Sequence, residues 1–199
     1  MNYPNSLNNL INCLKKLPSI GEKSAERLAF AIMNLDEDDI MLFSNSISDV
    51  KSKIKKCTLC GNITEEKLCS ICANEKRDNS VICVVEDSKK IITLEKIGSY
   101  SGVYHVLGGL ISPSEGKGPK DIEIDSLVKK VKEGNVNEII LAISPTLEGE
   151  TTALYISKLL ENTNVVISKI AYGIPIGADM EYLDPMTLSM ALNNRNKIS

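Results

Sequence analysis

The sequence predicts an α+β protein in which a helical N-terminal block, a short cysteine-rich segment and an α/β domain follow one another. The first observation is a helical spacing of apolar residues in the block that ends near residue 56. The second is a pair of closely spaced cysteine doublets between Cys57 and Cys72. The third is an alternation of strand-like and helix-like segments from Ser80 onward, which is typical of a mostly parallel sheet with right-handed crossovers.

Composition narrows the class of protein before any motif is considered. The chain has 199 residues, of which 43% are hydrophobic and 25% charged, so it can form one or two compact domains and is not expected to be disordered. A net charge of −3 argues against a monomer that coats nucleic acid by charge alone. Neither a signal peptide nor a membrane-spanning apolar run is visible, so we expect a cytoplasmic protein with reduced cysteines and no membrane partner.

The N-terminal block, residues 1–56, is predicted to be helical. Apolar residues recur at helical spacing on both sides of a break, and a further helix is expected to begin at residues 36–39; the spaced positions are Leu7, Leu10, Ile11, Leu14, Ala25, Leu28, Ala29 and Ile32. At the break, Pro18 is predicted to end the first helix, and Gly21 to supply a positive φ in the turn.

The start of the second helix is a candidate phosphate-binding site. Its first backbone N–H groups have no partner within the helix, which suits an anion. Lys23 and Arg27 lie one turn apart on the same face, next to Gly21. Such a module would bind the nucleic-acid backbone with little sequence preference. The alternative is a plain helical hairpin without a ligand.

The cysteine doublets predict a metal site. Cys57, Cys60, Cys69 and Cys72 are spaced C-x2-C-x8-C-x2-C, and four thiolates complete the tetrahedral shell of one zinc ion per chain. A closed shell leaves no position for water, so the zinc would be structural; the alternative is four reduced core cysteines. The other two cysteines, Cys13 and Cys83, and the single histidine, His105, are expected to be structural residues.

The α/β domain is predicted from its alternating pattern. Strands are expected at residues 81–86, 103–107, 138–144 and 165–170, and helices at 89–97, 124–133 and 150–160. Glu86 ends the first of these strands, and Glu148 and Glu150 follow the third. These positions converge at the carboxyl edge of a parallel sheet, where three carboxylates could hold Mg²⁺; the alternative is a solvated acidic edge.

Taken in order, these blocks resemble the RecR family of bacterial recombination mediators over essentially the whole chain. The motifs that carry the resemblance are LPSIGEKSAERLAF at 17–30, the four cysteines, VVE at 84–86, and three longer stretches at 104–122, 144–156 and 172–192. The resemblance implies a helix-hairpin-helix domain at 1–56, a C4 zinc finger at 57–72, a Toprim domain at 80–175 and a C-terminal oligomerisation segment at 176–199.

The resemblance also implies a function in recombinational DNA repair. Such proteins form ring-shaped homotetramers that clamp single- and double-stranded DNA, and they act with RecO and RecF to load RecA onto single-stranded DNA. Lys23 and Arg27 fall at family DNA-contact positions, and Glu86, Glu148 and Glu150 at Toprim acidic positions.

The chain departs from the family pattern in two places. Ser19 stands where glycine is often found, and Glu148-Gly-Glu150 replaces the Asp-x-Asp of catalytic Toprim enzymes, so we expect no catalysis. Two alternatives stay open: a Mg²⁺-dependent Toprim enzyme that cleaves or joins phosphodiesters, and a zinc-stabilised interaction module that does not contact DNA.

Overall fold

The computed structural model describes residues 3–171 and 173–195, which fall into two units, Met1–Ile54 and Lys55–Ser199. The first unit contains helices α1 (Asn5–Leu14), α2 (Glu22–Met33) and α3 (Glu37–Lys53). Ile11 of α1 packs with Ala25 and Ala29 of α2, whose small side chains permit a close approach. The predicted helical block is therefore confirmed. Helix α3 buries none of its residues in this chain.

The turn between α1 and α2 differs from the prediction. Helix α1 ends at Leu14, before Pro18, and Gly21 has a φ of −84°, so the predicted positive φ at Gly21 is wrong. Ser19 instead adopts a φ of 65°, and it is the only non-glycine residue with a positive φ in the described part of the chain. Gly21 is the N-cap of α2, a position that requires extended rather than left-handed backbone.

Cys13 also departs from the prediction. It is exposed on α1, although its apolar neighbourhood suggested a core residue. Two positions separate it from the buried Ile11, and a step of two residues turns roughly 200° around a helix. Cys13 therefore lies on the face that points away from α2.

The second unit is built on a parallel sheet, as predicted. Its four strands are β3 (Asp78–Val85), β4 (Gly102–Val106), β5 (Glu138–Leu141) and β6 (Val166–Lys169), and they lie in the order β4-β3-β5-β6. A short antiparallel pair, β1 (Lys55–Lys56) and β2 (Ile63–Thr64), precedes the sheet. The helices are α4 (Ser88–Glu95), α5 (Ile124–Glu133), α6 (Leu147–Leu159) and α7 (Pro185–Asn193), with 3-10 turns at Pro113–Glu115, Pro119–Asp121 and Met180–Tyr182.

The sheet is buried on both faces. Along β3, Ile82 and Val84 face a core completed by α5 and α6, while Cys83 and Val85 face a second core. The second core contains Ile91 of α4 together with the cysteine-rich segment. This alternation follows from the two-residue period of a strand. The cysteine-rich segment is thus part of the core of this unit and not a separate appendage.

Strand β5 and helix α6 have boundaries that matter for the acidic residues. The strand ends at Leu141, and α6 begins at Leu147, three residues before the predicted start. The Thr146 side chain caps the helix by accepting a hydrogen bond from the Gly149 N–H at 3.2 Å. A Cβ at Gly149 would lie 1.9 Å from the Ser144 carbonyl oxygen, so this tight start requires glycine.

The C-terminal segment can be followed only in part. Residue 172, in the 172–192 motif, and residues 196–199, in the predicted oligomerisation segment, lie outside the described residues. Helix α7 buries none of its residues in this chain. Over the ranges that are described, no helix is long and apolar enough to cross a membrane.

Candidate metal centre and nucleic-acid interface

The four cysteines of the two doublets come together in one cluster. The Sγ atoms of Cys57, Cys60, Cys69 and Cys72 all lie within 4.8 Å of one another, and those of Cys60 and Cys69 are 3.6 Å apart. Three of the four are buried and Cys72 is partly buried. Within residues 3–171 and 173–195, no other group of three or more His, Cys, Asp or Glu side chains is placed to hold an ion.

The cluster fits a structural zinc ion. Tetrahedral zinc with Zn–S bonds of about 2.3 Å needs sulfur atoms about 3.8 Å apart, close to the Cys60–Cys69 separation. A hydrogen bond from Cys72 lowers the pKa of Cys60 to about 5, and the same interaction raises the pKa of Cys72. The clustered thiols thus already favour a thiolate at neutral pH, which is the form that binds metal. Four sulfur donors leave no open coordination position, as predicted.

Backbone hydrogen bonds shape the first cysteine doublet and attach it to the sheet. The Cys57 N–H donates to the Asn62 carbonyl at 2.7 Å, and the Asn62 N–H donates to Cys60 Sγ at 3.4 Å. The Val106 N–H donates to the Cys60 carbonyl at 2.8 Å. Because β4 is an edge strand, its outer N–H groups have no strand partner, and the cysteine loop satisfies one of them.

The hairpin residues predicted to bind phosphate lie together at one end of α2. Gly21 is the N-cap and makes no side-chain hydrogen bond, so no side chain satisfies the first N–H groups of the helix. Lys23 and Arg27 are both exposed, and neither forms an ion pair with a described residue. Lys15 and Glu22 pair beside them, which neutralises the glutamate nearest to this helix end. The end of α2 therefore presents two free cations and unpaired N–H groups.

The predicted acidic edge is organised differently from a magnesium site. The Glu86 carboxylate accepts hydrogen bonds from the Ser144 N–H at 3.0 Å and the Ser144 hydroxyl at 2.7 Å. Lys90 adds an ammonium 3.4 Å from Glu86, whose side chain is only 16% exposed. Glu86 is thus already neutralised by partners from this chain.

The other two glutamates lie in the first turn of α6 and not in a loop before it. Both oxygens of Glu150 are 3.0 Å from the Lys169 ammonium. Glu148 and Glu150 are two residues apart on a helix, so their side chains diverge by roughly 160°. The expected convergence of all three carboxylates around one ion is not found among the described residues.

His105 is a buried structural residue, as predicted. It is 2% exposed, its Nε2 atom donates to the Glu123 carbonyl at 2.7 Å, and its Nδ1 atom accepts from the Lys130 ammonium at 3.0 Å. Burial, followed by the charge of Lys130, lowers the pKa of His105 to about 4, so the ring is neutral. Sequence reasoning missed Lys130 because it reads as one more lysine on a polar helix face.

Family models match the chain in four consecutive segments. They are described as RecR, helix-hairpin-helix, at residues 7–51; a RecR zinc finger domain with four cysteines, at 54–74; Toprim domain, at 80–171; and RecR, C-terminal, at 173–196. These segments contain the hairpin, the cysteine cluster and the parallel sheet described above.

Curated relatives match over full length. "Recombination protein RecR" of Staphylococcus aureus (strain MRSA252) is 48% identical over 198 residues, which is 100% of both chains. The protein of the same name from Staphylococcus saprophyticus is 47% identical over the same span. With its hairpin, four-cysteine zinc finger and Toprim sheet in the same order, this chain belongs to the RecR family.

Proposed function

We propose that this protein is a DNA-binding mediator of recombinational repair that clamps DNA and helps RecO and RecF load RecA onto single-stranded DNA. The observation that carries the proposal is the end of α2, where Lys23 and Arg27 flank a helix start that no side chain caps. Membership of the RecR family supports the same role.

The chemistry of the α2 end suits phosphate more than base edges. The partial positive charge of a helix start and its free N–H groups attract an anion, and two unpaired cations strengthen that attraction. Neither the exposed lysine nor the arginine is fixed by a neighbouring side chain in a geometry that would discriminate bases. Binding should therefore depend on salt and vary little with sequence.

One hairpin per chain provides too few phosphate contacts for tight binding, which favours an assembly. The chain carries a net charge of −3, and four thiolates around one Zn²⁺ would contribute about −2 at the metal centre. Several hairpins around one opening would add their phosphate contacts without making each chain basic. We therefore include a homotetrameric ring in the proposal. Helices α3 and α7 bury no residue within the chain, and their exposed Phe43, Ile47 and Met186 supply apolar surface for self-association.

The pairing of the glutamates favours a non-enzymatic role for the Toprim domain. Catalysis by Mg²⁺ at this edge would need free carboxylates, whereas Glu86 is bound by Ser144 and Lys90, and Glu150 by Lys169. The alternative is a Toprim enzyme in which DNA and metal reorganise these pairs.

The central test compares DNA binding by the parent and by a Lys23→Ala/Arg27→Ala double variant across a salt series. We expect weaker binding to every sequence and a salt slope for single-stranded DNA that is smaller by about 1.4, or about 0.7 for each lost phosphate contact. A Lys51→Ala/Lys76→Ala variant removes the same charge from exposed positions elsewhere and should bind as the parent does. Equal binding by parent and hairpin variant would refute the proposed interface.

Two further assays separate the mediator from the alternatives. RecA assembly on single-stranded DNA covered by single-strand-binding protein should accelerate when this protein and RecO are both present, and no acceleration would refute the loading role. Incubation of labelled DNA with Mg²⁺ should leave the DNA intact. Cleavage that a Glu86→Gln variant abolishes would instead establish the Toprim enzyme.

A further inference from the structure

Lys130 of α5 lies between two cavities that open onto the cysteine cluster. A cavity of about 660 Å³ is lined by Lys130 together with Cys60 and Cys72. A second cavity, of about 460 Å³, is lined by Lys130 together with Cys57 and Cys60. The lysine therefore reaches from a helix on one face of the sheet to the metal centre that covers the other.

Hydrogen bonds hold the Lys130 ammonium in place. Its Nζ atom donates to His105 Nδ1 at 3.0 Å, and His105 Nε2 donates to the Glu123 carbonyl at 2.7 Å. Because the histidine is 2% exposed and uses both ring nitrogens, it cannot turn away. The result is a cation whose position is set by a neutral, buried acceptor.

The cysteine cluster needs such a cation. Four thiolates and one Zn²⁺ carry a net charge of about −2, and a buried charge is costly unless it is paired or hydrogen-bonded. The lysines of the cysteine-rich segment itself, Lys55, Lys56 and Lys67, are exposed, so water screens them. Lys130 is partly buried and shares cavities with the ligands.

The remaining charged groups around Lys130 do not supply an equivalent cation. Glu123, Lys129 and Glu133 line one or both cavities, and all three are exposed. Burial lowers the pKa of Lys130, and the negative charge of the facing cysteine sulfurs counteracts that shift. The sulfurs and the ammonium therefore interact electrostatically across the cavities.

We propose that Lys130 is a positioning residue of the metal centre: its ammonium, held by His105, balances the negative charge of the zinc-bound cysteines and links zinc binding to helix α5. This inference depends on the zinc site and not on the proposed DNA-binding role. It predicts that zinc affinity responds to the charge at residue 130 and not to the charge at its neighbour.

The test measures zinc affinity of the full-length protein by competition with a chromogenic chelator at fixed pH. Lys130→Met should weaken zinc binding by about tenfold or more, the usual effect of losing an outer partner of a metal site. Lys130→Arg keeps the charge and should stay within about threefold of the parent. Lys129→Met removes a charge from the adjacent exposed position and should have no effect.

A spectroscopic measurement guards against a merely structural effect. The protein reconstituted with Co²⁺ should show altered thiolate-to-metal absorption in Lys130→Met and unaltered absorption in Lys129→Met. If Lys130→Met does not fold, Lys130→Gln removes the same charge with a polar side chain. Equal zinc affinity in Lys130→Met and Lys129→Met, or equal weakening in all variants, would overturn the proposal. DNA binding plays no part in these readouts, so the two proposals fail independently.

Discussion

Thr152 links helix α6 to the segment that follows β4, and its replacement tests how that junction is held. The side chain is fully buried, and its Oγ1 atom accepts a hydrogen bond from the Ile111 N–H at 2.9 Å and donates to the Glu148 carbonyl at 2.7 Å. Ile111 is itself 6% exposed, so water has little access to that N–H group. The hydroxyl therefore satisfies a buried donor from a segment 41 residues away along the chain.

The expected cost of Thr152→Val follows from these contacts. Valine keeps the shape of the side chain but leaves the buried Ile111 N–H without an acceptor, which costs about 1–3 kcal/mol. The lost hydrogen bond to Glu148 should matter little, because a helical carbonyl also accepts from the backbone N–H four residues later. We expect the free energy of unfolding to fall by about 2 kcal/mol.

Thr152→Ser is the matched control because it keeps the hydroxyl and removes only a methyl group. Its expected cost is about 1 kcal/mol, the usual value for one buried methylene-sized group. The more apolar valine variant should thus be the less stable of the two, which is the reverse of what burial alone predicts.

Urea unfolding followed by far-ultraviolet circular dichroism measures the two free energies, and hydrogen exchange of the Ile111 amide reports on the bond directly. The Ile111 amide should exchange faster in Thr152→Val and remain protected in Thr152→Ser. A valine variant as stable as the parent, with Ile111 still protected, would refute the assignment of this hydroxyl as the essential acceptor.

Three further predictions concern the hairpin, the metal centre and the buried histidine. Ser19→Gly should raise the stability of the N-terminal unit by about 0.5 kcal/mol in urea unfolding, because Ser19 has a φ of 65° and glycine adopts that conformation without strain; a loss of stability would contradict this. Cys60→Ser should abolish stoichiometric zinc in elemental analysis, whereas the parent should hold one zinc per chain. His105 has a pKa lowered to about 4, below its usual value near 6.5, so the unfolded chain takes up this proton first as the pH falls. The neutral ring therefore contributes its full stabilisation above about pH 6.5 and loses about 3 kcal/mol on the way to pH 4, so a His105→Gln profile as steep as that of the parent would refute this.

Much of the fold could be predicted because its signals are local. The spacing of Leu7, Leu10 and Leu14 predicts α1, since a 3.6-residue period places them on one face. The parallel strands follow from apolar runs separated by helical segments, and their boundaries agree with the structure to within a few residues. The cysteine doublets predict a shared ion because three-residue spacing brings two sulfurs together with no help from the rest of the chain.

The tertiary structure decided the features that depend on distant residues. Glu86 is a candidate metal ligand in the sequence, yet Ser144 binds it from 58 residues away, and only the pairing of β3 with β5 brings the two together. Lys130 could not be distinguished from a solvated lysine until α5 was placed against His105. Backbone conformation and helix caps are set by short-range sterics, whereas the environment of a charge is set by whatever the packed fold brings next to it.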